Sequence, residues 1–178
     1  MHKYDFLVIG SGLAGLSFAL KAAKKAKVAI VTKDKIQETN TWYAQGGIAS
    51  VMNLDADSFD KHIADTLEAG AGLCNREAVS NMVYQAPRLI QELVDYGVDF
   101  TTKDGQLDLG KEGGHSEHRI VHAADATGRE VENVLATKVK SHPNIDVFEY
   151  HFAMELITEH HLGKKVKYLP KIHCFGAY

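Results

Sequence analysis

At 178 residues, with 45% apolar side chains and a formal net charge of −3, the chain has the size and composition of one ordinary domain with a real core. That charge argues against a nucleic-acid or membrane-surface partner recognised through basic patches, and no apolar run approaches the ~20 residues that span a bilayer. Met1-His2-Lys3 leads into a strand without the apolar core of a signal peptide, and Cys74 and Cys174 stand too far apart to read as a redox pair; two reduced cysteines in a cytoplasmic protein are expected.

The first element is an apolar, buried strand over Tyr4–Ile9, running straight into Gly10-Ser11-Gly12-Leu13-Ala14-Gly15 and a helical pattern. Gly10 allows a tight turn, Gly12 lets backbone approach a pyrophosphate, and Gly15 lets the helix pack close to the sheet. The helix start then offers N–H groups and the positive end of its dipole to the anion. Leu16, Ala19, Leu20 and Ala23 fall on one helical face, with Lys21, Lys24 and Lys25 outward. Val28–Val31 reads as a buried parallel strand that completes a βαβ unit. Lys33–Ser50 has no period and is rich in Thr, Asn, Gln and Gly; loops of that length in a compact domain are usually functional.

Ser58 caps a predicted helix to about Ala69 that buries Phe59, Ile63 and Leu67. Asn75 opens another, which Pro87 breaks or kinks and Gly97 ends. Asp104-Gly105 marks a turn between short strands. Lys111–Gly128 is the second aperiodic stretch, dense in Gly, His and charge. Thr127-x-x-Glu130 reads as a capping box opening a helix to about Lys140. Strands are predicted at Ile145–Tyr150, Met154–Thr158, Lys164–Tyr168 and Ile172–Tyr178, with a turn at Gly163.

A nicotinamide site expects an acidic residue at the end of the second strand, but here Thr32-Lys33 stands there and Asp34 comes one position late. Asn40-Thr41-Trp42-Tyr43-Ala44-Gln45-Gly46-Gly47 instead packs two aromatics, an amide and a glycine pair together, suited to lie against a flat ring. His115, His118 and His122 lack the Cys or paired carboxylates of a recognisable metal site; no metal is expected.

Gly10–Gly15, Thr41–Gly47, Asp65–Gly72, Glu112-Gly113-Gly114-His115-Ser116 and His122–Glu130 together resemble the FAD-binding half of the succinate dehydrogenase/fumarate reductase flavoprotein family. The resemblance runs through nearly the whole chain and points, within the family, to the branch acting on L-aspartate. It implies an α/β, Rossmann-like FAD-binding domain, incomplete at the C-terminus, with residues 1–178 as its N-terminal part and the capping and helical domains absent. FAD would be held by Gly10, Ser11, Gly12, Leu13, Ala14 and Gly15 at the pyrophosphate, by Lys33 on the adenosine side, and by Asn40, Thr41, Trp42, Tyr43, Ala44, Gln45, Gly46 and Gly47 around the isoalloxazine. The respiratory members of the family attach FAD through a His at the position of Asn40; an amide cannot form that link, so the flavin is expected to be non-covalent.

The resemblance further implies oxidation of L-aspartate to iminoaspartate, with oxygen or fumarate as acceptor. In bacteria this is the first step of the quinolinate route to NAD, with quinolinate synthase as the partner. Glu112 is the expected catalytic residue, pairing with the substrate ammonium in a charge-assisted hydrogen bond and repelling plain dicarboxylates. The family's proton-donating arginine lies beyond the matched motifs, so the chain alone is expected to be inactive. Two alternatives are a succinate dehydrogenase or fumarate reductase type of flavoprotein and a non-catalytic dinucleotide-binding module.

Overall fold

The computed structural model describes residues 3–124, 126–163 and 171–178. Met1, His2, Asp125 of the His122–Glu130 motif and the predicted strand at Lys164–Tyr168 lie outside the described residues. In chain order the elements are β1 (Phe6–Ile9), α1 (Leu13–Ala22), β2 (Val28–Val31), β3 (Ile48–Ala49), α2 (Phe59–Ala69), α3 (Arg76–Tyr96), β4 (Thr102–Lys103), β5 (Gln106–Leu107), β6 (Leu109–Gly110), β7 (Ile120–Val121), α4 (Thr127–Lys140), β8 (Ile145–Phe148), β9 (Leu156–Thr158) and β10 (Cys174–Ala177). They fall into two compact units, Met1–Thr39 with Leu135–Tyr178, and Asn40–Val134.

The first unit is built on a parallel sheet in the order β1-β2-β8, with Phe6 opposite Val28 and Val28 opposite Ile145. α1 joins β1 to β2, as the predicted βαβ unit requires. Leu16, Ala19, Leu20, Ala23, Val28, Ala29 and Ile30 are buried with Leu135, Ala136, Val139 and Ile145. Each large aliphatic in that set contributes about 1.5–3 kcal/mol by leaving water. β1 departs from the expected buried strand: Val8 alone is buried, while Phe6, Leu7 and Ile9 are exposed. The reason is its place at the sheet edge, where β2 is its single neighbour among the described residues. β9 and β10 pair antiparallel in the same unit.

In the second unit, α2 and α3 pack through Ile63, Val79 and Val83, with Phe59, Leu67 and Cys74 against them. Both helices start as the sequence predicts. Ser58 Oγ accepts the N–H of Lys61 at 3.2 Å and Asn75 Oδ1 that of Ala78 at 3.0 Å. Pro87 does not divide α3, which runs on to a left-handed Gly97 at φ 98°; the lost N–H removes one ladder bond from a helix that tertiary packing sustains. Asp104 and Gly105 both take positive φ between paired β4 and β5, the two-residue hairpin turn.

The second aperiodic stretch contains a strand after all. β7 is the middle of a small antiparallel sheet in the order β3-β7-β6, and two residues are too few to leave a period in sequence. The predicted capping box is also revised. Thr127 Oγ1 accepts the N–H of Ala123 at 3.0 Å, and the Glu130 carboxylate accepts that of Asp99 at 3.3 Å. Both side chains tie neighbouring loops to α4, so their observed partners lie outside the helix.

Candidate functional site

In the first unit the chain leaves β1 through Gly10, whose φ of 99° would strain any side chain. Its N–H donates to the Val31 carbonyl at 2.9 Å, fixing the turn to the end of β2. Gly12 caps α1 without a side chain. A Cβ on Gly15 would overlap the Gly10 carbonyl oxygen and stand 3.3 Å from Val8 Cγ1, so the helix approaches the turn as closely as glycine allows. Ser11 is buried and its hydroxyl bonds Thr32 Oγ1 at 3.1 Å, which turns that side chain toward β2. The turn thus meets the steric conditions of a pyrophosphate cradle. Lys33 is exposed just past β2. The Asp34 carboxylate accepts the N–H of Lys35 at 2.7 Å, a local turn bond in place of the ribose contact of a nicotinamide site.

In the second unit the aromatic–amide loop rests on the start of α4. The N–H of Ala44 donates to the Thr41 carbonyl at 3.1 Å, closing a turn, and the N–H of Gly128 donates to the Ala44 carbonyl at 3.2 Å. A Cβ on Gly128 would overlap the Thr41 carbonyl oxygen. The Arg129 guanidinium lies 5.4 Å from the Trp42 ring centroid, a cation–π contact, and Tyr43 is exposed. Gly47 leads into β3, where a Cβ would overlap Ile120 Cγ2 and the Val121 carbonyl.

Because β3 and β6 both pair with β7, the loops at 40–47 and 111–119 come together. A Cβ on Gly46 would stand 3.3 Å from Glu112 Oε1. The structure therefore brings Glu112 to the glycine pair of the candidate isoalloxazine loop, although they are 66 positions apart in the chain.

Beneath that loop lies a set of charges that sequence reasoning missed. Arg119 is 0% exposed. Its Nε and Nη2 donate to Asp57 Oδ2 and Oδ1, each at 2.8 Å, a bidentate pair. Its Nη1 donates to Asp65 Oδ2 at 2.5 Å and faces His115 Nδ1 at 3.4 Å. His62 is buried beside this set, its ring 5.8 Å from that of His115. One sequence signal was available: Asp57, Lys61 and Asp65 recur every four positions, a polar ridge beside the apolar Phe59-Ile63-Leu67 stripe.

The same set sets an acid limit. Burial opposes ionisation of Asp65, but the Ser116 N–H, the Arg119 guanidinium and the Ser116 hydroxyl outweigh it and hold the carboxyl at about 2, below its ordinary 3.8. Burial likewise opposes the Asp57 charge, and bonds from Arg119 and from the Ser58 N–H outweigh it, so that carboxyl too lies low. Burial, then the Arg119 charge, push His62 below its ordinary 6.5. All three groups bind protons more readily in the unfolded chain, so each stabilises the fold at higher pH and loses that contribution as pH falls. Urea midpoints are expected to decline first as pH drops through about 6.5, from His62, and more steeply from about 4 down to about 2. Asp65→Asn should flatten the lower limb; an unchanged limb would remove Asp65 from this account.

The comparisons with known proteins point to the same cofactor. Residues 5–177 match the family model of the FAD binding domain, and the chain belongs to that family. It is, more narrowly, a homologue of the L-aspartate oxidases. It is 51% identical over 156 residues to the chloroplastic L-aspartate oxidase of Arabidopsis thaliana, an alignment covering 87% of this chain and 24% of that protein. With the L-aspartate oxidase of Pseudomonas aeruginosa it shares 42% identity over 185 residues, covering 99% and 33% of the two. The chain thus spans a quarter to a third of the length of these relatives. Among solved structures, the quinol fumarate reductase FrdA of E. coli superposes with a TM-score of 0.84 at 31% identity, over 88% of this chain and 27% of that one. The α/β class, the FAD-binding assignment and the family expected from sequence are all borne out.

Proposed function

We propose that this chain is the FAD-binding segment of an enzyme that oxidises L-aspartate to iminoaspartate. The observation that carries the reading is the Glu112 carboxylate against Gly46, in a homologue of the L-aspartate oxidases. The turn Gly10–Gly15 would hold the pyrophosphate, Lys33 the adenosine side, and Asn40–Gly47 the isoalloxazine, with Asn40 leaving the flavin non-covalent. FAD, when bound, takes up the electron pair that the amino acid loses. Glu112 accepts a charge-assisted hydrogen bond from the substrate ammonium. It orients the Cα–N bond and disfavours succinate, whose two carboxylates it would repel, more strongly as water leaves the site. Oxygen or fumarate serves as acceptor, and in a bacterial cytoplasm quinolinate synthase would consume the product. Among the described residues no helix is long and apolar enough to cross a membrane.

The test uses a chimera in which residues 5–177 replace the matched segment of the Pseudomonas aeruginosa enzyme. It should retain FAD and release peroxide on adding L-aspartate, whereas the 178-residue chain alone should bind FAD weakly and turn nothing over. A chimera that holds FAD but ignores aspartate would contradict the proposal. Within it, Glu112→Gln should raise KM for L-aspartate by about tenfold or more, the worth of one hydrogen bond between charged groups, while KM for fumarate, relieved of the carboxylate's repulsion, should fall or hold and not rise. Equal effects on both would end the ammonium-pairing role.

A further inference from the structure

The segment that presents Glu112 is soft in itself. Glu112 is followed by Gly113 and by Gly114 at φ 84°, and a turn bond runs from the His115 N–H to the Glu112 carbonyl at 3.3 Å. Two glycines in succession leave the backbone many conformations. Within the segment His115 faces Arg119 Nη1 at 3.4 Å and the His62 ring, and the segment is further held at its ends. Upstream it leaves β6, paired to β7. Downstream every polar group of Ser116 is engaged: its N–H and its hydroxyl donate to Asp65 Oδ2, each at 2.8 Å, and its carbonyl accepts from Lys111 Nζ at 2.8 Å.

Asp65 stands on α2, and its Oδ2 also receives Arg119 Nη1, itself locked by Asp57. A single carboxylate oxygen on a rigid helix thus collects three donors, two of them from the residue that ends the Glu112 segment. We propose that Asp65 is a positioning residue for Glu112: it clamps Ser116 and so fixes the glycine-rich turn that sets the Glu112 carboxylate beside Gly46. Asp65 acts through Ser116 and need not touch substrate. The proposal rests on the reading of Glu112 as the partner of the substrate ammonium.

Asp65→Asn replaces one acceptor oxygen by a donor and removes the charge. In the FAD-loaded chimera it is expected to raise KM for L-aspartate by about tenfold, the loss of a charge-assisted hydrogen bond, with kcat and KM for fumarate within about threefold. Ser116→Ala, which spares the Arg119 ion pairs with Asp57 and Asp65 and removes the 3.4 Å bond from Arg119 Nη2 to the hydroxyl, should move KM the same way by a smaller factor and combine less than additively with Asp65→Asn. The deciding measurement is Asp65→Asn in a Glu112→Gln background. If Asp65 works through Glu112, the added change in KM should be under about twofold. A full tenfold added there would overturn the proposal, because a merely structural loss would multiply.

Hydrogen exchange on the 178-residue chain reads the clamp without turnover. Amides 112–118 should exchange about tenfold faster in Asp65→Asn while those of α3 are unchanged; unaltered exchange at 112–118 would also overturn it. Should Glu112→Gln leave aspartate binding untouched while Asp65→Asn still frees the loop, the ammonium reading falls and the clamp stands.

Discussion

Arg119→Met is expected to lower the unfolding free energy by about 3–5 kcal/mol, the largest effect of any single change considered. The side chain is 0% exposed and answers two carboxylates, Asp57 at 2% and Asp65 at 17% side-chain exposure. Removing it leaves Asp57 charged in a place water does not reach, with the Ser58 N–H at 2.7 Å, a nearby histidine and the more distant Lys61 ammonium in place of the guanidinium. Desolvation of an unanswered carboxylate, more than the lost attraction, sets the size of the effect. A second change separates these terms: Arg119→Met with Asp57→Asn should recover about 1 kcal/mol or more of the loss, since the stranded charge is gone. Urea unfolding of the three variants measures it. Full additivity would show that Asp57 is not stranded.

Gly128→Ala reverses a familiar sign. Exchanging Gly for Ala inside a helix ordinarily stabilises by about 1 kcal/mol. Here the methyl would overlap the Thr41 carbonyl oxygen and press on the Ala44 oxygen at 2.8 Å and the Ala44 Cβ at 2.9 Å. Most of these atoms belong to backbone, so no side-chain rotation relieves them. The turn at Thr41–Ala44 must move, carrying Trp42 off Arg129. A stability loss of about 1–3 kcal/mol is expected, and FAD affinity, followed by equilibrium dialysis, should fall by about tenfold or more as the loop loses its preorganised form. Gly113→Ala is the control, because nothing lies within 4 Å of its added methyl. If Gly128→Ala binds FAD as the parent does, the loop at 41–47 is not what grips the flavin.

Local signals were legible wherever a residue acts on its own neighbours. The Gly10–Gly15 turn, the caps at Ser58 and Asn75, the left-handed Gly97 and the Asp104-Gly105 hairpin all stand where their chemistry places them. Contacts between distant residues were not. Nothing near Arg119 announces that Asp57, 62 positions earlier, will take two of its donors; in a stretch full of charge it reads as solvated. Thr127 and Glu130 show the limit of a spacing rule, since the same side chains serve Ala123 and Asp99 equally well. For Glu112 the motif marked the residue, while its approach to Gly46 needed β7 to bring two loops together.

β1 has one more consequence. An outer strand that, among the described residues, pairs along one side alone and shows Phe6, Leu7 and Ile9 on its faces is a template on which another strand can grow. Produced by itself, the polypeptide carries a built-in route to aggregation, starting within its first ten residues, and dilution or a solubilising fusion partner would have to hold that route closed.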